Sequence, residues 1–209
     1  MFLYGRINGI RPEERLARLV LHHELNISVK EAECPDLQNE MLGIEVTRGF
    51  PDWYCITEGN YAKFKQASEI GDVAEAKFYF TQSIINTDEV RVDMSIDSDG
   101  HVSRQVIQTC PVFDTDLEEI KSAIDRKNAK SCGYNPKNLH LYVFQLGGFD
   151  ETHFGTFVAQ VRAHLVSTKS PFKTIYIHQI RTRKLLIISQ NRFEIKDLDM
   201  DYYESILHW

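Results

Sequence analysis

The chain has 209 residues, 43% hydrophobic and 26% charged, with a formal net charge of -6 at pH 7. These values fit an ordinary globular protein able to bury a full core, and no run approaches the ~18 apolar residues of a membrane span. The acidic balance argues against a general nucleic-acid binder, whose footprint is usually basic.

The start, Met1-Phe2-Leu3-Tyr4-Gly5-Arg6, lacks the basic segment and apolar core of a signal peptide. Cys34, Cys55, Cys110 and Cys132 form no Cys-x-x-Cys pair, so reduced thiols in a cytoplasmic protein are expected. Pro12 suits a first helical turn. Leu16, Leu19, Val20 and His23 recur at helical spacing and predict an amphipathic helix over 12–25, ended by Asn26. An extended segment over 27–34 leads to a turn at Asp36 and a strand over 41–47. The aromatic stretch Phe50–Tyr54 precedes a predicted helix around Tyr61–Ile70, and Gly71-Asp72 separates it from a helical or mixed segment over Val73–Ile84. Strands over Val90–Ile96 and Val102–Thr109 flank Asp97-Ser98-Asp99-Gly100, a hairpin turn by composition.

Asp114 is an N-cap candidate for a helix reaching about Cys132, with Gly133 as its punctuation. Leu139–Leu146 reads as a buried strand, 151–167 as a helix, Lys173–Gln179 and Leu185–Ser189 as strands, with a polar acidic tail behind. The order predicts an α/β fold: a mixed central sheet flanked by helices on both faces. It is read as one domain over 1–209, with a core at 10–48 and 115–190 and an insertion or lid at 50–115.

The chemistry concentrates in Cys34–Thr47. Leu42, Ile44 and Val46 alternate with Gly43, Glu45 and Thr47, so Glu45 is a carboxylate on a half-buried strand, where an unpaired charge is costly. Asp36 and Glu45, brought together across a turn, make a hard-oxygen pair of the kind Mg²⁺ uses. A turn-capping Asp and a strand Glu paired with Arg or Lys are the plainer alternative. His22 and His23 are adjacent and project in different directions; His23 is expected to pack in the core. Trp53 and Tyr54 are read as packed aromatics, with base stacking as the alternative. Arg181, Arg183 and Lys184 form one basic cluster, and Lys121, Arg126, Lys127 and Lys130 another; both are read as solvated faces.

The order of helix, strand, Pro35-Asp36, the Gly43-Ile44-Glu45-Val46-Thr47 strand, helix and strand resembles the PD-(D/E)XK nuclease superfamily, the restriction-endonuclease-like fold with a Holliday-junction-resolvase-like core. The resemblance implies a DNA phosphodiesterase using Mg²⁺ or Mn²⁺, with Asp36 and Glu45 as catalytic acids and metal ligands. It adds the Val46 carbonyl as a further ligand and Glu13 as the helix acid, chosen over Glu14, which is expected to face solvent. Thr47 stands where the superfamily carries lysine, so Lys127 or Lys130 is expected to supply the cation. The negative net charge is compatible with this, since a metal neutralises catalytic carboxylates. DNA is the implied partner, no membrane is, and a homodimer stays open. The other reading is a nuclease fold without catalysis, serving in protein or nucleic-acid interaction.

Overall fold

The computed structural model describes residues 11–86, 90–98, 101–108, 112–130, 138–147 and 149–207. The elements are α1 (Pro12–Leu25), β1 (Lys30–Glu31), β2 (Leu37–Gln38), β3 (Leu42–Gly49), α2 (Asp52–Glu69), α3 (Val73–Gln82), β4 (Ile85–Asn86), β5 (Val90–Ile96) and β6 (Val102–Gln108). They continue as α4 (Val112–Asn128), β7 (Asn138–Gln145), α5 (Phe154–Ser167), β8 (Phe172–Gln179), β9 (Lys184–Ser189), β10 (Phe193–Asp197) and α6 (Met200–Leu207). The chain divides into two compact units, one running up to Gly49 and resuming at Asp116, the other Phe50–Thr115. Among the described residues no helix is long and apolar enough to cross a membrane.

The larger unit is an α/β layer built on a seven-stranded mixed sheet, in the order β1-β2-β3-β7-β8-β9-β10. Its centre is parallel, β3 against β7 and β7 against β8, and its margins are antiparallel. Parallel strands are covered on both faces and carry near-continuous apolar runs; Leu141, Tyr142, Val143 and Phe144 of β7 are all fully buried. Register decides the faces. Glu45 pairs with Leu141, and Gly49 with Gln145, so Glu45, Thr47 and Gly49 share a face, and Ile44, Val46 and Arg48 point the other way.

Helix α4 lies on the Glu45 face. A Cβ at Gly49 would stand 3.0 Å from Val143 and 3.3 Å from Ile120 of α4, so glycine there lets helix and strand approach closely. Helix α5 lies beside α4, with His164 Nε2 2.8 Å from Asp125. Helix α1 covers the opposite face, and Tyr203 of α6 donates to Glu24 at its end (2.7 Å).

Several expectations are corrected here. The buried stripe of α1 is Leu16, Ala17, Val20 and Leu21, rotated from the one drawn through Leu19 and His23. The small Ala17 carries little hydrophobic signal, yet it faces the sheet. His23 is therefore exposed, and it stacks on Tyr202 at 4.9 Å instead of packing in the core. Asn26 does end the helix, in the left-handed region at φ 54°.

Helix α2 begins at Asp52, so the Phe50–Tyr54 stretch runs into its first turn. Low helix propensity of aromatic residues hides that start. Trp53 and Tyr54 are half-buried and pack edge to face (5.8 Å), Tyr54 also against Phe50 (5.3 Å). Helix α4 starts at Val112, which places Asp114 in the first turn instead of at the cap, and it ends at Asn128; Cys132 and Gly133 lie outside the described residues. The acidic tail contains a strand and a helix. Strand β10 pairs antiparallel with β9, and its alternating half-exposed residues mark a charged edge strand.

In the smaller unit α2 and α3 form a helical pair with a core of Phe64, Ala67, Ala76 and Met94, beside an antiparallel sheet in the order β4-β5-β6. Strands β5 and β6 pair from Val90↔Gln108 to Ile96↔Val102. The Asp97 carboxylate accepts from His101 N (2.8 Å) across the turn, whose Asp99 and Gly100 lie outside the described residues.

Gly147, just past β7, has φ +68°, and a Cβ there would meet Gln179 Cβ at 2.7 Å. Both the left-handed backbone and the clash oppose a side chain. Gly147→Ala should lower unfolding stability by roughly 2–4 kcal/mol, measured by urea titration; a midpoint equal to wild type would contradict this placement.

Candidate functional site

Asp36 sits just before β2, after the cis Cys34-Pro35 bond. Strand β2 pairs with β3 only at Leu37↔Ile44 and Gln38↔Gly43, which leaves the edge of β3 beyond Ile44 open. Asp36 fills that opening. Its Oδ2 accepts from Val46 N at 2.7 Å, and its Oδ1 accepts from Arg11 Nη2 at 2.9 Å. The N–H and C=O of one strand residue point to the same side, so the Val46 carbonyl projects toward the same edge as Asp36.

Glu45 is 2% exposed, so its charge must be met inside the protein. The partner is Lys127 in the last turn of α4, whose Nζ donates to Glu45 Oε2 and stands 3.6 Å from Asp36 Oδ2. One ammonium thus spans both carboxylates, from 82 residues beyond Glu45 in sequence. The end of α4 is anchored on both sides. Arg126 Nη2 donates to the Arg48 carbonyl (2.7 Å), and Asn128 bonds to Thr168 (3.3 Å) and Ser170 (2.8 Å) beyond α5. Thr47 shares the Glu45 face and is half-buried, so Lys127 is the cation that serves that face.

The other expected residues fall elsewhere. Lys130 is exposed in the turn after α4 and makes no ion pair with either acid among the described residues. Lys121 pairs with Glu118 at 2.7 Å. Glu13 pairs with Arg48, which leaves β3 on the face opposite Glu45, and its Oε2 is buried without a hydrogen-bond partner. Glu14 does not face solvent. It is buried and held by the Arg11 guanidinium that also binds Asp36. The stripe through Ala17 and Leu21 explains this, since Glu14 lies three residues, about one turn, before Ala17. Of the two helix acids, Glu14 is the one linked to Asp36.

Sequence reasoning missed Arg11 and Glu14 as neighbours of Asp36. No sequence signal marks a helix-preceding arginine that folds back on a loop carboxylate. Burial works to lower the Arg11 pKa, and the Asp36 and Glu14 carboxylates together outweigh it and hold the value above its ordinary one. The Arg183–Lys184 cluster is neutralised by Asp201 (3.1 Å), Asp197 (2.6 Å) and Glu151 (2.9 Å). Cys34 is an exposed free thiol; Cys110 and Cys132 lie outside the described residues.

One further buried acid stands apart. Asp116 is 4% exposed, its Oδ2 lacks a hydrogen-bond partner, and burial pushes its pKa up to about 7. It lies near the other end of α4, about three turns from Lys127, so it belongs to the frame and not to the acid pair.

Among the described residues no three His, Cys, Asp or Glu side chains gather as a metal-holding group. The donors at the edge of β3 are two carboxylates and a backbone carbonyl. That set matches Mg²⁺ in kind, because Mg²⁺ is commonly held by one or two carboxylates with substrate phosphate and water completing the shell. The chain matches no protein-family model, no curated protein and no solved structure.

Proposed function

We propose that the larger unit is a metal-dependent DNA phosphodiesterase of the PD-(D/E)XK type, with Asp36, Glu45 and Lys127 as its reactive set. The supporting observation is the Lys127 ammonium over both carboxylates, on the strand face where Thr47 offers no charge. Asp36 and Glu45, with the Val46 carbonyl, would hold Mg²⁺ or Mn²⁺, which polarises a phosphate and lowers the pKa of attacking water. Lys127 supplies positive charge beside the reacting phosphoryl group, where charge builds up during displacement. Val46 N–H fixes Asp36 Oδ2, and Arg11 fixes Oδ1, so the carboxylate is oriented before any ligand arrives. Lys130 has no part in this scheme, and Glu13 acts at most through Arg48.

Glu45→Gln keeps the shape of the side chain and removes its charge. Metal-dependent nicking of single-stranded, duplex or branched DNA should fall at least a hundredfold. Millimolar Mg²⁺ or Mn²⁺ should raise the melting temperature of wild type more than that of Glu45→Gln, since a ligand bound only by the native state stabilises it. Equal nicking by both proteins would leave the proposal without support.

The second reading, an interaction module without catalysis, draws on a different observation. Each acid already has a basic partner, Glu13 with Arg48, Asp36 with Arg11, and Glu45 with Lys127. Absence of any metal-dependent melting shift would favour that reading.

A further inference from the structure

We propose that a groove at the C-terminal end of α5 is a track for the phosphodiester backbone of DNA, adjoining the acid pair. Its occupant is inferred from the phosphodiesterase reading, and the cationic lining is independent of it. The groove has a volume of about 750 Å³ and is lined by Arg162, Lys169 and Lys173 with Ser167, Ser170 and Gln190. No carboxylate lines it, and none of the three cations makes an ion pair among the described residues. In a chain of net charge -6, this is a local reversal of potential, the feature that attracts a polyanion.

Arg162 is fixed in place. Its Nε donates to the Ser189 carbonyl and its Nη2 to the Arg192 carbonyl, both at 2.8 Å. Carbonyls orient the guanidinium without cancelling its charge. Lys169 follows α5 in the left-handed region at φ 51°, where a cation also complements the helix dipole. Lys173 lies in β8 and Arg162 in the body of α5, and neither has that dipole role.

The groove adjoins the site through Asn128. Its amide nitrogen donates to Thr168 Oγ1 (3.3 Å), and its side-chain oxygen accepts from Ser170 Oγ (2.8 Å). Asn128 directly follows Lys127, so the rim of the groove and the ammonium over Asp36 and Glu45 come from neighbouring residues. Ala163, Leu165, Val166 and Phe172 make most of the lining apolar, so anionic lipid is the competing occupant to be tested.

The test is DNA binding followed by fluorescence anisotropy, with a short duplex and its single strand, in EDTA so that no cleavage occurs. Lys169→Ala/Lys173→Ala should weaken binding about tenfold at ~0.1 M salt and reduce the slope of log affinity against log salt by about 2. The charge-matched Lys65→Ala/Lys77→Ala variant should leave both unchanged. The track is overturned if wild type binds neither DNA form, if the two double variants behave alike, or if Lys169→Ala/Lys173→Ala loses binding to phosphatidylglycerol vesicles but not to DNA. Cleavage assays separate the two ideas. Lysine-dependent binding without Glu45-dependent cleavage refutes the phosphodiesterase and keeps the track. Glu45-dependent cleavage with binding indifferent to Lys169 and Lys173 refutes the track alone.

Discussion

Lys127→Met is expected to cut metal-dependent cleavage by about 10²- to 10⁴-fold and to destabilise the metal-free protein by about 3–5 kcal/mol. Both effects have one origin. The Glu45 side chain is 3% exposed and that of Lys127 13%, so removing the ammonium leaves a buried carboxylate without its counter-charge. Excess Mg²⁺ should restore part of the lost stability, because a divalent ion at Asp36 and Glu45 substitutes for the missing cation. Cleavage should not return with it, since the charge beside the phosphoryl group is still absent.

Adding Thr47→Lys to Lys127→Met moves the cation to a position two residues past Glu45 on the same strand face, about 7 Å along β3. Partial recovery of both stability and cleavage is the expected outcome. In the wild-type background the same Thr47→Lys change places a second cation beside Lys127 and should bring no gain. A Lys127→Met protein that melts and cleaves as wild type does would remove Lys127 from the site.

Acid should unfold this protein through its buried histidines. Burial pushes the His178 imidazole down to about 3 and His140 down to about 4. Each is held by a tyrosine from the neighbouring strand, Tyr142 with His178 at 2.9 Å and Tyr176 with His140 at 3.0 Å. Above pH 6.5 the imidazoles are neutral in both folded and unfolded chains, and their full contribution is present. Below that, the unfolded chain takes up protons that the folded one refuses, so stability falls with pH until the folded pKa is reached. For His178 this amounts to roughly 2 kcal/mol between pH 6.5 and 4.5.

His178→Gln keeps a polar partner for Tyr142 and does not titrate. Its unfolding free energy should therefore drop less steeply over that range, by about the same amount. Denaturant titrations at pH 7.0 and 4.5 measure it, and parallel losses in the two proteins would show that His178 is not the acid-sensitive group. Asp116 has the opposite sign. Its raised pKa means that ionisation above pH 4 favours the unfolded chain, so its contribution is lost as pH rises toward 7.

The sequence by itself determined the local grammar of the chain. Period-2 alternation through Leu42–Thr47 placed Glu45 and Thr47 on one face and Arg48 on the other, as the register of β3 with β7 has it. Pro12 and Asn26 marked the two ends of α1, and the apolar run at Leu139–Leu146 marked the central strand β7. These signals are legible because they depend on neighbours in sequence.

Tertiary structure decided which charges meet. Lys127 and Lys130 are alike on paper, and only the direction in which α4 crosses the sheet brings Lys127 over Asp36 and Glu45 while Lys130 stays in solvent. Ala17, a residue with little hydrophobic weight, sets the rotation of α1 that buries Glu14 next to Arg11 and turns His23 outward. Strand β10 and helix α6 are likewise invisible locally, because β10 is defined by pairing with β9 and α6 by Tyr203 reaching Glu24. A charge in the interior is fixed by whatever partner the fold delivers, and here the main partner comes from a helix 82 residues away. Sequence periodicity specifies a face, and long-range packing specifies what that face meets.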